Sequence, residues 1–130
     1  MTSLLLPTRA AVLLLTCPFW ASALVKAADL SGTATEVAHL GLPLPWGTAL
    51  ATILVQGLGS LCLIFGLVPR WAAAALILFT LAASFLAHPF WRLPPEVFLP
   101  NFAAFTANMG LIGGLVLAAL LSTTSKGSRS

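Results

Sequence analysis

A chain of 130 residues that is 59% hydrophobic and only 7% charged lies far from the soluble norm of roughly 45–50% apolar and about 25% charged residues. A water-soluble domain cannot hide that much apolar surface, and the net charge of +3 comes from six scattered bases with no basic run, so no nucleic-acid partner is expected. Four stretches without Asp, Glu, Lys or Arg (Ala10 to Val25, Val37 to Pro69, Trp71 to Trp91 and Val97 to Ser125) each hold an apolar core close to the ~20 residues of a spanning helix. The predicted fold class is therefore all-α, a four-helix transmembrane bundle with a short interfacial helix in the first outer loop. The bundle is one domain over residues 1–121, with no room for a separate extramembrane domain.

The first helix is expected over about residues 8–28, just after Pro7, which is tolerated at a helix entrance because its missing donor is not needed there. Arg9, the apolar run to Trp20 and Ala21-Ser22-Ala23 imitate a cleavable secretory signal. Pro18 interrupts that run and apolar character continues through Val25, so the helix is expected to be retained. Asp29 to Pro45 is the longest polar interval. Within it Thr33-Ala34-Thr35-Glu36 fits a capping box that would start a short interfacial helix ending at Gly41.

Pro43 and Pro45 forbid its continuation, and Trp46 marks re-entry at headgroup level. The second spanning helix is predicted over 46–68. The short link at Val68-Pro69-Arg70 makes the third, over 71–87, its antiparallel neighbour. His88 to Pro100, with four prolines, reads as an irregular outer loop. Asn101 is the expected cap of the last helix, over 101–121, and residues 122–130 read as a disordered polar tail.

The bases give the expected orientation. Arg9, Arg70, Lys126 and Arg129 share one face, whereas Lys26 and Arg92 lie on the other with all three acids, Asp29, Glu36 and Glu96. Because Lys and Arg near helix ends accumulate on the cytoplasmic side, both termini are expected to be cytoplasmic.

Polar side chains in hydrocarbon turn inward, so their spacing marks the faces that meet neighbours. Thr48, Thr52, Gln56 and Ser60 form one stripe, with Gln56 near the bilayer centre. Thr80, Ser84 and His88 form another, Ser22 and Lys26 share a face, and Asn101 and Asn108 lie two turns apart. The ligand-binding candidates are accordingly Lys26, Thr52, Gln56, His88, Arg92, Asn101 and Asn108, lining an outward-facing pocket.

The plain alternative is that Ser and Thr are interhelical hydrogen-bonding glue, worth about 0.6 kcal/mol each, and that Lys26 and Arg92 snorkel to the interface. The amide of Gln56 has few alternatives at mid-membrane and demands partners. His88, facing Lys26 and Gln56, would suit an anionic or quinone-like headgroup, since imidazole exchanges protons near neutrality.

Cys17 and Cys62 fall at equal depth, about 12 Å from the same border at 1.5 Å per residue. They form a thiol pair only if they face each other, and otherwise fill space as small apolar residues. Two separated histidines and two separated cysteines offer no metal-ligand spacing. Gly110 and Gly114 make a GxxxG step that suits internal packing or a homo-oligomer equally.

In order and spacing, several pieces together resemble the DoxX family of small four-helix membrane proteins: Lys26 closing the first helix, His39-Leu40-Gly41-Leu42-Pro43-Leu44-Pro45, Gln56-Gly57-Leu58-Gly59, Gly66-Leu67-Val68-Pro69-Arg70, His88-Pro89-Phe90 and the helix from Asn101 to Gly114. Two departures stand out: Gln56 occupies a position where the family has Glu, and Ala23 one where it has glycine. The missing carboxylate removes a titratable group from mid-membrane.

The resemblance implies a bacterial cytoplasmic membrane and, among relatives, a subunit of thiosulfate:quinone oxidoreductase and partners of thiol and oxidative-stress enzymes. The resulting expectation is a membrane accessory protein, an anchor or partner in a redox or quinone-related system holding a small ligand, with quinone the one cofactor implied. The alternatives are a quinone-linked oxidoreductase subunit and, last, a small-molecule transporter. The transporter ranks last because no span carries a central carboxylate for ion coupling.

Overall fold

The computed structural model describes the backbone of residues 2–127 and the side chains of residues 8–122. Its order is α1 (Thr2–Ala28), α2 (Leu30–His39), α3 (Pro45–Phe65), α4 (Pro69–Ala87), a 3₁₀ turn at Phe90–Arg92, and α5 (Pro95–Gly127). Four helices are long and apolar enough to cross a membrane, within Thr8–Ala28, Pro45–Phe65, Pro69–Arg92 and Pro95–Ser122. The shortest, at 21 residues, spans about 31 Å, matching the hydrocarbon thickness. Four such helices in succession, if all cross, leave the start of α1 and the end of α5 on one side.

α1 lies along α3, α3 along α4 and α4 along α5, whereas α1 and α5 meet only lightly. The core is a cluster of Phe19, Leu63, Ala72, Ala73, Leu76 and Leu115, with Val12 and Leu15 packed against it. On α1 the inward positions Val12, Thr16, Phe19 and Ala23 recur at three- and four-residue steps, the period of one helical face. Close approach of α3 to α4 depends on Gly59, where a Cβ would stand 3.0 Å from Leu76 Cδ2.

α2 does more than lie on the membrane surface. Its Ala34 and Val37 pack with Ala49 of α3 in a second buried cluster flanked by Leu30 and Leu42. Its cap also differs from expectation. The helix starts at Leu30 because the Asp29 carboxylate accepts the Gly32 N–H at 3.0 Å, which pre-empts a start at Thr33. Thr33 is instead buried and donates to the carbonyls of Asp29 (2.9 Å) and Lys26 (3.1 Å), tying α2 to the end of α1.

All four spanning helices are bounded differently from the sequence expectation, and α1 begins at Thr2 and runs through Pro7 instead of opening after it. α3 stops at Phe65, because Gly66 takes the left-handed conformation (φ 71°) and the Leu67 N–H turns back to the Cys62 carbonyl at 2.7 Å. α3 and α4 each open on a proline, with the preceding residue left-handed, Leu44 at φ 49° and Val68 at φ 38°. Non-glycine residues in that region cost about 1–3 kcal/mol each, a strain held by the packed hairpins on either side.

α5 starts at Pro95 rather than Asn101. Pro95 sits in the first turn, where proline is favoured, and the helix passes through Pro100. Asn101 is therefore not a cap but an early residue of α5. At the other end no proline or glycine intervenes before Gly127, and helix replaces the expected tail over residues 122–127. Residues 128–130 lie outside the described residues.

Candidate functional site

The polar stripes of α3 and α4 point inward as their spacing implies: Gln56, Ser60, Thr80 and Ser84 are all buried. Most of their hydroxyls nevertheless bond their own helix. Thr52 Oγ1 donates to the Thr48 carbonyl at 2.9 Å, Ser60 Oγ to Gln56 at 2.6 Å, Thr80 Oγ1 to Leu76 at 2.6 Å and Ser84 Oγ to Thr80 at 2.7 Å. A carbonyl four residues back is the nearest acceptor in a membrane helix, so these groups are satisfied without a neighbour. The expectation that Ser and Thr act mainly as glue between helices gives way to local back-bonding.

Interhelical bonding is concentrated between α4 and α5. Asn108 Nδ2 donates to Ser84 Oγ at 3.0 Å, and near the helix ends His88 Nδ1 donates to Asn101 Oδ1 at 3.0 Å. Asn101 Nδ2 in turn donates to the Val97 carbonyl at 2.8 Å. Ser84 both receives Asn108 and donates to Thr80, so the seam runs as a chain of paired donors and acceptors.

An aromatic cluster, which the sequence reading did not pick out, closes the outer end of this seam. Phe90, in the 3₁₀ turn, stands 5.1 Å from Phe102, 5.3 Å from Phe105 and 5.6 Å from Phe98 by ring centroids, all edge-to-face. Phe85 and Trp91 join at 5.7 Å from each other. Such pairs favour edge-on geometry and contribute about 0.5–1.5 kcal/mol each. The spacing Phe98, Phe102, Phe105 is one helical face and was legible; what hid it was the expected break at Asn101 between Phe98 and the other two.

Gln56 is different. It is 5% exposed, and among the described residues its Oε1 is buried without a hydrogen-bond partner. A buried carbonyl left alone costs about 1–3 kcal/mol, so its position in the centre of α3 is a standing demand for a donor.

Lys26 sits apart from both. It bonds Ser22 Oγ and lines a pocket of about 360 Å³ between α1 and α2, together with Asp29, Thr33 and Glu36. Thr52, Gln56, His88 and Arg92 do not line it. Arg92 is exposed in the 3₁₀ turn. The polar residues proposed from sequence thus divide into an α1–α2 pocket at Lys26, an α4–α5 seam containing His88, Asn101 and Asn108, and the buried amide of Gln56 with Thr52 one turn away on α3. The Lys26 pocket does not gather the others.

Cys17 and Cys62 are free thiols, each half-buried, and Cys62 packs against the main core. Among the described residues no group of three or more His, Cys, Asp or Glu side chains is placed to hold a metal ion. Gly114 serves internal packing, since a Cβ there would stand 2.7 Å from Leu15 Cδ1, whereas Gly110 faces open space.

The family model for DoxX matches residues 5–89. The chain is also similar to the inner membrane protein YphA of Escherichia coli (strain K12), at 27% identity over 117 residues, which covers 90% of this chain and 81% of that protein. No solved structure matches. The four apolar helices and these likenesses together identify an integral membrane protein.

Proposed function

Since the chain belongs to the DoxX family, we propose that it is a membrane accessory protein, an anchor or partner in a redox or quinone-related system, and that it holds a small ligand at Gln56. The observation that carries this reading is the buried, unpartnered Oε1 in the middle of a spanning helix. An amide offers two donors and one carbonyl acceptor, so it serves either form of a quinone headgroup, and its free acceptor favours the hydroxyl of the reduced quinol. The bonded state of His88, Asn101 and Asn108 supports a positioning role for them: they fix α4 against α5 and leave the ligand to α3.

The oxidoreductase alternative asks Lys26, His88 and Arg92 to bind an anion such as thiosulfate and Cys17 or Cys62 to exchange electrons, but His88 and Arg92 do not line the Lys26 pocket. Asp29 and Glu36 line the same pocket, so an anion there would meet two carboxylates beside one ammonium, which disfavours that reading. The distribution of bases supports cytoplasmic termini, and a reporter fused after Ser130 that is active only in the cytoplasm tests that orientation.

Purification of the full chain from native membranes in mild detergent, followed by solvent extraction and identification of bound quinone and copurifying proteins, tests the function. Wild type and Asn108→Ala should retain quinol, and Gln56→Leu should not. Equal quinol content in wild type and Gln56→Leu, or none in either, would overturn the role of Gln56.

A further inference from the structure

At the end of the bundle opposite Lys26, α1, α3 and α5 enclose a cavity of about 580 Å³, a volume typical of single-ligand sites. α1 and α5 meet only lightly, with Leu15 standing over Gly114, and both of these residues line the cavity. The walls are apolar. Leu63 is buried, while Phe65, Leu117 and Leu121 are exposed at the rim, so the cavity is open to the bilayer. Arg9 is one of its lining residues, with Thr8 and Ser122 the other polar ones. Arg70 follows Pro69, another lining residue, at the same end, and all three Asp and Glu side chains belong to the opposite side.

We propose that this crevice is a binding site for one anionic phospholipid, with an acyl chain in the α1–α5 gap and its phosphate on Arg9. Tail and headgroup contribute separately. The apolar walls accept a chain of any phospholipid, and selectivity for a net negative headgroup comes from a basic side chain with no Asp or Glu among the lining residues to compete for it. This site is independent of Gln56, which does not line it.

The test uses the full chain in detergent, titrated with dioleoylphosphatidylglycerol or dioleoylphosphatidylcholine and read by native mass spectrometry. Wild type should retain one phosphatidylglycerol per chain with a preference of about fivefold over phosphatidylcholine, the effect of one basic side chain near an anionic group. Arg9→Gln, an exposed change that leaves the core untouched, should erase the preference while keeping the residual binding common to both lipids. Ala118→Phe, which fills the cavity from α5, should reduce both.

Equal retention of the two lipids by wild type would overturn the proposal, as would a preference unchanged in Arg9→Gln. So would a lipid-free dimer, in which a second copy covers the gap.

Discussion

The seam between α4 and α5 and the interior face of α3 are built from the same kinds of polar residue, yet they resolve them in opposite ways. Along α4–α5 each of the polar side chains named above finds a partner: His88 on Asn101, Asn108 on Ser84, Ser84 on the Thr80 carbonyl, with Phe90 and its neighbouring rings sealing the outer end. On α3, Thr52 and Ser60 satisfy themselves on their own backbone, but Gln56 keeps a buried carbonyl oxygen unanswered. A membrane interior holds no water to repair such a gap. The difference separates side chains that hold the bundle together from one whose buried oxygen has no partner among the described residues, and the proposed ligand site rests on that contrast.

The strongest way to break this comparison is Gln56→Leu. If the amide is an unmet demand, its removal should stabilise the ligand-free chain by about 1–3 kcal/mol in reversible unfolding from detergent, the reverse of what most buried substitutions do. A loss of stability would mean that Gln56 is part of the packing after all.

Next in size is Gly59→Ala, which brings a methyl to 3.0 Å from the fully buried Leu76 and so presses α3 off α4. It should lower stability by about 1 kcal/mol, and an unchanged midpoint would mean that the two faces are not held in fixed register.

A double-mutant cycle of Ser84→Ala with Asn108→Ala sharpens the other side. Its coupling energy should be near the ~0.6 kcal/mol average for membrane hydrogen bonds, and a value of zero would remove the bonded seam. The corresponding cycle of His88→Ala with Asn101→Ala should give a smaller coupling, because that pair lies at the helix ends where water competes.

Much of the bundle was legible because it rests on length and periodicity. Charge-free runs of about twenty residues have few folded options, and stripes such as Gln56–Ser60 and Thr80–Ser84 could face nowhere but inward. The site was less legible. Lys26 and His88 look equivalent as isolated polar residues near one side of a membrane, with Gln56 deeper, and nothing in their spacing separates a pocket shared by α1 and α2 from a seam shared by α4 and α5.

Helix ends were missed for local reasons. Asp29 outcompetes Thr33 as a cap by reaching the Gly32 N–H, and Pro95 starts a helix where a cluster of prolines suggested a loop. The left-handed backbone at Leu44 and Val68 leaves no mark in the sequence, because a leucine or a valine is held there only by the hairpins around it.

By itself, then, the sequence determined that this is a four-helix integral membrane protein, that its polar faces turn inward, and that four of its six bases fall at the end away from its three acids. Those properties follow from one residue's transfer between water and hydrocarbon, summed along a helix. Pairing was decided only in three dimensions: which amide finds a hydroxyl, which is left alone, and where α1 and α5 part to admit an acyl chain. Each depends on the contact of side chains distant in the chain, and a hydrogen bond or a gap exists only once two helices have met at a definite rotation.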